Sequence, residues 1–167
     1  IFDPFLTGNT WDTAKKEDIK CQYIFVSHGH DDHYGDTDFI AKANDALVIS
    51  TAEVAGKAAA AGCRTHAMHL GGKFDFEFGS VRIVPAFHGA GIPGGHAAGC
   101  IVDFYGDIVY FAGDTALFSD MKLLNRFGDI DYALLPIGDN YTMGVEDAAL
   151  AASYVKARIS IPIYYKT

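Results

Sequence analysis

Four side chains that can bind a metal ion occur within residues 28–33, which are His-Gly-His-Asp-Asp-His. They are His28, His30, Asp32 and His33, and they follow an apolar, β-branched run at residues 23–26. Side chains two apart in an extended chain point the same way, so His28 and His30 can reach one ion. The chain then turns, so Asp32 and His33 can face a second ion. Imidazole and carboxylate suit zinc, iron or manganese better than calcium or magnesium. Single histidines are common on surfaces, but this spacing predicts a metal site.

Polar residues also follow three other apolar runs directly. They are His88, Asp114 and the pair Asp139–Asn140. Loops at one edge of an α/β sheet converge, which favours metal ligation by His88 and Asp114. Taken alone, His88 could be an edge histidine and Asp114 an Asx turn after a glycine. Asp139 stays open between a turn former, a ligand and a residue that supports the ligands or contacts substrate. Asn140 is a candidate only for supporting the ligands or contacting substrate.

The loop at residues 89–99 follows His88 at once, and five of its eleven residues are glycine. Backbone N–H groups exposed by such a loop could bind an anionic group of a substrate. His96 lies within the loop and could polarise a carbonyl group or approach a metal ion. The alternative is a mobile surface loop in which His96 has no catalytic role.

The elements that must position these residues are short. Alternating or continuous apolar runs predict strands at residues 23–27, 46–49, 74–78, 81–86, 100–105, 108–112, 132–136 and 159–163. Helical spacing predicts helices at residues 37–43, 50–62, 117–127 and 145–155, the second with Ser50 and Glu53 as a capping box. Consecutive hairpins followed by strand–helix–strand units predict an α/β sandwich with helices outside two mixed sheets.

The composition indicates an ordinary globular protein with one domain at residues 1–167. A net charge of −8 argues against nucleic acid as a partner, because phosphate binding favours a basic surface. There is no long apolar span or signal peptide, so no membrane partner is expected. Three cysteines without a CxxC pair fit a reducing, cytoplasmic location. A small-molecule substrate is expected, and an oligomer remains open.

The motif at residues 28–33, His88 and the sequence Gly113-Asp114-Thr115 together resemble the metallo-β-lactamase superfamily. Residues 1–9, 69–72 and 136–144 narrow the resemblance to the UlaG-like metal-dependent hydrolases, which are related to the ascorbate-6-phosphate lactonases. The resemblance implies a four-layer αβ/βα sandwich with a dinuclear site. It also implies that terminal elements of the family lie outside this sequence.

The resemblance further implies the ligand set. His28, His30 and His88 would hold the first metal ion, Asp32 and His33 would hold the second, and Asp114 would bridge them. The family has one more histidine ligand after its last strand, and here Tyr164 stands in that position. A phenol ligates well only as phenolate and has a pKa of about 10, which puts the second ion in question. One or two divalent ions are therefore expected, zinc before manganese or iron.

A divalent ion lowers the pKa of bound water from about 15.7 toward roughly 7 and so makes hydroxide available. Asp32 would orient this nucleophile, and an ester, lactone, amide or phosphoester would be hydrolysed. No Gly-x-Ser-x-Gly elbow occurs. A diiron oxygen or nitric oxide reductase of the same fold has glutamate where His30 stands, which counts against that function. A degenerate or mononuclear member with little activity stays open because of Tyr164.

Overall fold

The computed structural model describes residues 1–10 and 14–165. Among these residues the chain forms two compact units. The first contains residues 1–10, 14–69 and 89–96, and the second contains residues 70–88 and 97–165. Within the described ranges, no helix combines the length and the apolar character needed to cross a membrane.

The first unit is built on a three-stranded parallel sheet in the order β1-β2-β3. Its strands are β1 Tyr23–Phe25, β2 Leu47–Thr51 and β3 Arg64–Met68, and its helices are α1 Asp31–Tyr34, α2 Thr37–Asn44, α3 Ala52–Ala60 and a 3₁₀ helix at Lys16–Asp18. Apolar side chains of β1, β2, α2 and α3 form one buried core, in which Ile24, Ile40 and Val48 are fully buried. This core holds the end of β1, where the histidine motif begins.

The N-terminal segment lies beside β1. Phe2 forms a parallel bridge with Phe25, and the Asp3 N–H donates to the Phe25 carbonyl oxygen at 2.9 Å. Asp36 fixes the next residues, because its carboxylate accepts hydrogen bonds from the Leu6 and Thr7 N–H groups and from the Thr7 hydroxyl. Burial by itself would raise the pKa of Asp36, but these hydrogen bonds and the Lys16 ammonium group hold that pKa below its usual value.

The second unit is built on a six-stranded mixed sheet in the order β4-β5-β6-β7-β8-β9. Its strands are β4 Lys73–Phe76, β5 Gly79–Pro85, β6 Ala98–Phe104, β7 Asp107–Phe111, β8 Tyr132–Pro136 and β9 Ile159–Ile163. Pairing is antiparallel from β4 to β7 and parallel from β7 to β9. Helix α4, Val145–Val155, and a 3₁₀ helix at Ser119–Phe127 pack on a core that includes Tyr110, Met121 and Ala151.

The structure corrects four details of the prediction. Strand β3 was not predicted, and the described sheet of the first unit is wholly parallel rather than mixed. Residues 119–127 form a 3₁₀ helix. The helical spacing therefore predicted the buried face, which includes Met121 and Leu124, but not the helix type. The Ser50 capping box is wrong, because Ser50 lies within β2 and its hydroxyl donates to the Val26 carbonyl oxygen at 2.6 Å. Thr51 is the N-cap residue of α3 instead.

Candidate metal centre

Three imidazoles of the motif lie together in the first unit. The ring centroid of His28 is 4.7 Å from that of His30 and 4.2 Å from that of His33. His28 and His33 are buried, with 0% and 2% of their surfaces exposed, and His30 is half-buried. His28 and His30, which the sequence predicts to reach one ion together, therefore lie close to each other. Burying three imidazoles at this distance is a typical arrangement for metal ligands.

The backbone around the motif is held by the segment after His88. The Gly29 N–H donates to the Ala90 carbonyl oxygen at 2.8 Å. Gly91 has a φ of +62°, and a Cβ built on it would lie 2.3 Å from the His30 backbone nitrogen. A Cβ built on Gly89 would lie 3.4 Å from Cε1 of the His30 ring. The glycines of this loop thus allow its backbone to pack directly against His30.

Asp3 joins the motif from the N-terminal segment. Its carboxylate is buried, and its Oδ2 lies within hydrogen-bond distance of Nδ1 of His33, at 2.7 Å. The same carboxylate accepts from the Ser27 N–H at 2.7 Å and from the Ser27 hydroxyl at 2.6 Å. The Ser27 oxygen lies 2.8 Å from Nδ1 of His28. Asp3 is therefore connected to two of the three clustered imidazoles.

Asp32 lies on the more exposed side of the motif. It is in the first turn of α1, its side chain is 62% exposed, and its Oδ2 lies 3.7 Å from Nε2 of His33.

Tyr34 anchors α1, since its hydroxyl donates to Asp38 and its ring lies beneath the Lys57 ammonium group. Burial and the Asp38 carboxylate raise the pKa of Tyr34, which keeps the phenol in its neutral, donating form.

His88 and Asp114 come together within the second unit. Each follows the end of a strand, and Nε2 of His88 lies 3.5 Å from Oδ2 of Asp114. Strand β6 separates the two strands, but beyond their ends the Phe87 N–H donates to the Thr115 hydroxyl at 3.0 Å. The Ala116 N–H also donates to the Phe87 carbonyl oxygen at 3.1 Å. These two bonds place His88 and Asp114 side by side, as the convergence of strand ends predicts.

The other predicted site residues of the second unit have different surroundings. Tyr164 follows β9 with a φ of +53°, and its ring centroid lies 6.5 Å from that of Phe111. Asp139 and Asn140 are exposed and lie in a left-handed turn before α4. The Asp139 carboxylate lies within 3.4 Å of a Cβ built on Gly144, the N-cap residue of α4. This position favours the turn former among the roles left open for Asp139.

His96 lies beside another histidine. Both His96 and His69 are exposed in the first unit, and their ring centroids are 5.3 Å apart. An exposed imidazole at the end of the glycine-rich loop can donate a hydrogen bond to a ligand in solution. The geometry therefore leaves His96 available for the substrate role that the sequence suggests.

The distances distinguish metal ligands from hydrogen-bonded partners. Two ligand atoms bound at 2.0–2.1 Å to a tetrahedral zinc ion lie about 3.3 Å apart. The 3.7 Å separation of His33 Nε2 from Asp32 and the 3.5 Å separation of His88 Nε2 from Asp114 are close to this value. The 2.7 Å contact between His33 Nδ1 and Asp3 is shorter and is a hydrogen bond. The donor set therefore fits divalent transition-type ions, with Asp3 supporting a ligand.

Known proteins are similar to this chain over its full length. Residues 2–165 match the β-lactamase superfamily domain family. A UPF0173 metal-dependent hydrolase from Natranaerobius thermophilus is 52% identical over 167 residues, which are 100% of this chain and 75% of that protein. The chain belongs to the UPF0173 metal-dependent hydrolase family. YtkL of Bacillus subtilis, another UPF0173 metal-dependent hydrolase, is 48% identical over 100% of this chain and 78% of its own length.

A solved structure extends the likeness to the whole fold. Igni18, a metallo hydrolase from the archaeon Ignicoccus hospitalis, is similar with a TM-score of 0.90 and 28% identity. The similarity covers 99% of this chain and 74% of that protein. The mixed α/β metallo-β-lactamase fold predicted from the sequence is thus confirmed. This UPF0173 protein is a metal-dependent hydrolase of the metallo-β-lactamase superfamily.

Sequence reasoning missed Asp3 in this UPF0173 protein. The signal that found His88 and Asp114, a polar residue just after an apolar strand, also applies to Asp3, which follows Ile1 and Phe2. Two apolar residues were too few to indicate a strand. The partners of Asp3 are 24 and 30 positions away, so local patterns do not reveal them.

Proposed function

We propose that this UPF0173 protein hydrolyses a small-molecule ester, lactone, amide or phosphoester with one or two bound zinc ions. The observation that carries the proposal is the cluster of His28, His30 and His33. The ring centroids of His30 and His33 lie 4.7 Å and 4.2 Å from that of His28. The sequence resemblance to ascorbate-6-phosphate lactonases makes lactones the first substrate class to examine. The net charge of −8 supports a small substrate over a nucleic acid.

The proposed ligand set follows the motif. His28, His30 and His88 would hold the first ion, Asp32 and His33 would hold the second, and Asp114 would be a ligand shared by both. Support comes from the ligand-like separations of Asp32 from His33 and of His88 from Asp114, given above. Tyr164 occupies the position of the family's last histidine ligand and weakens the second site, because a neutral phenol is a poor ligand.

Bound divalent ions supply Lewis acidity, which makes water nucleophilic near neutral pH. The exposed Asp32 carboxylate accepts a hydrogen bond from the attacking water and orients it. His96 donates a hydrogen bond to the substrate carbonyl or phosphoryl oxygen. The glycine-rich loop offers backbone N–H groups to an anionic part of the substrate. We also propose a cytoplasmic location, which the three cysteines without a CxxC pair support.

The test combines metal analysis with a substrate screen. Purified protein is analysed for zinc, manganese and iron, and then assayed on phosphorylated lactones, simple esters, amides and phosphoesters. His30→Ala should lose most of the first metal ion and most of the turnover. His66→Ala, on β3 of the same unit, is the matched control and should retain both. Wild-type protein that binds no transition metal, or His30→Ala with wild-type metal content and turnover, would contradict the proposal.

A further inference from the structure

A single carboxylate connects the ligands proposed for both metal ions. Oδ2 of Asp3 lies 2.7 Å from Nδ1 of His33 and accepts a hydrogen bond from the Ser27 hydroxyl at 2.6 Å. The Ser27 oxygen in turn lies 2.8 Å from Nδ1 of His28. Asp3, Ser27, His28 and His33 are all buried. Each contact is therefore protected from competition by water.

The number of hydrogens on each group determines which groups donate hydrogen bonds in this network. An ionised carboxylate can only accept, so Nδ1 of His33 must carry a proton. The Ser27 hydroxyl has one hydrogen, and the 2.6 Å contact with Asp3 requires it there. The Ser27 oxygen is then left as an acceptor, so Nδ1 of His28 must also carry a proton. In a neutral imidazole the other nitrogen, Nε2, then holds a lone pair, which is the form that binds metal.

We propose that Asp3 is a positioning residue that selects the Nδ1–H tautomer of His33 directly and of His28 through Ser27. The proposal rests on the metal site proposed above and deepens it. One carboxylate prepares a ligand of each ion before any metal arrives. Such outer partners also fix the ring orientation and increase the basicity of the ligand nitrogen.

The backbone at Asp3 is left-handed, with a φ of +37°, a region that aspartate adopts more often than most residues other than glycine. Asp3 also lies within 4.8 Å of ligand atoms of His28 and His33, so it could be considered a metal ligand itself. The 2.7 Å contact with His33 excludes a shared ion, because two atoms bound to one ion would be about 3.3 Å apart.

The experiment measures histidine tautomers in the metal-free protein by long-range ¹H–¹⁵N NMR, and then the affinity for zinc by chelator competition. In the wild type, His28 and His33 should both be Nδ1–H. Asp3→Ala removes the acceptor that both groups share, so it should release both imidazoles from this tautomer and weaken both zinc sites by about 10–100-fold. Ser27→Ala should release His28 alone and weaken only the first site. Ser27→Ala also keeps the proposal testable if Asp3→Ala does not fold.

Asp36→Ala is the matched control, because Asp36 is a buried carboxylate of the same unit that accepts hydrogen bonds from Leu6 and Thr7 instead of histidines. It should leave both tautomers and both zinc affinities unchanged. The proposal is overturned if Asp3→Ala or Ser27→Ala keeps the wild-type tautomers, or if Asp36→Ala changes them equally. A wild type with the expected tautomers but no zinc affinity would contradict the proposed function while leaving the tautomer selection intact.

Discussion

Replacing Gly91 by alanine should displace the proposed metal ligand His30 without changing the His30 side chain itself. A Cβ at position 91 would lie 2.3 Å from the His30 backbone nitrogen and 2.6 Å from Cδ2 of the His30 ring. Ordinary contact begins at 3.4 Å, so the two segments must separate by about 1.1 Å. The obstacle is backbone, which cannot rotate away as the end of a flexible side chain can.

This displacement is large compared with what a metal site tolerates. Bond lengths in such sites are kept within about 0.2 Å, so a shift of about 1 Å removes His30 from a productive position. We expect Gly91→Ala to weaken zinc binding by about tenfold or more. We also expect it to lower the free energy of unfolding, because overpacking costs about 1–3 kcal/mol and alanine at positive φ costs about 1–2 kcal/mol.

Gly94→Ala separates these two effects. Gly94 lies in the same loop with a φ of +75°, but a Cβ built on it meets no described atom within 4 Å. It should therefore show only the backbone cost of about 1–2 kcal/mol and keep wild-type zinc affinity. Urea unfolding of the metal-free variants and chelator competition for zinc measure the two quantities. Equal zinc affinities for Gly91→Ala and Gly94→Ala would refute the reasoning, since the contact between residue 91 and His30 would then have no effect on zinc binding.

Two further predictions concern acid stability and the second metal ion. The pKa of Asp36 is below its usual value in the folded state, so its contribution to stability is present above about pH 4 and is lost as the pH falls through the folded-state pKa. Urea unfolding between pH 2 and 7 should show wild type and Asp36→Asn converging at low pH. Asp75→Asn, which removes an exposed ion pair with Lys73, should show no such convergence, and parallel curves for Asp36→Asn would contradict the assignment. Tyr164→His should raise the metal content toward two ions per chain, measured by elemental analysis, whereas unchanged stoichiometry would show that position 164 does not limit the second site.

Much of the fold could be predicted because its signals are local. The hairpin of β4 and β5 pairs Phe76 with Gly79, and both strands alternate or run apolar over short stretches. Helix α2 and strand β8 were found for the same reason, since periodicity within one element reports which side is buried. Strand β3 was missed because Arg64–Met68 contains no apolar run. Its place in the sheet comes from backbone pairing with β2, which side-chain patterns do not record.

The candidate site also has one part that the sequence predicts and one part that only the tertiary structure shows. The types and spacing of His28, His30, Asp32 and His33 specified metal chemistry, because ligand preference is a property of the side chains themselves. The role of Asp3 depended on the tertiary structure, since it bonds residues 24 and 30 positions later in the chain. A hydrogen bond requires its atoms within about 3 Å, and only the folded path of the chain determines which distant residues meet that condition.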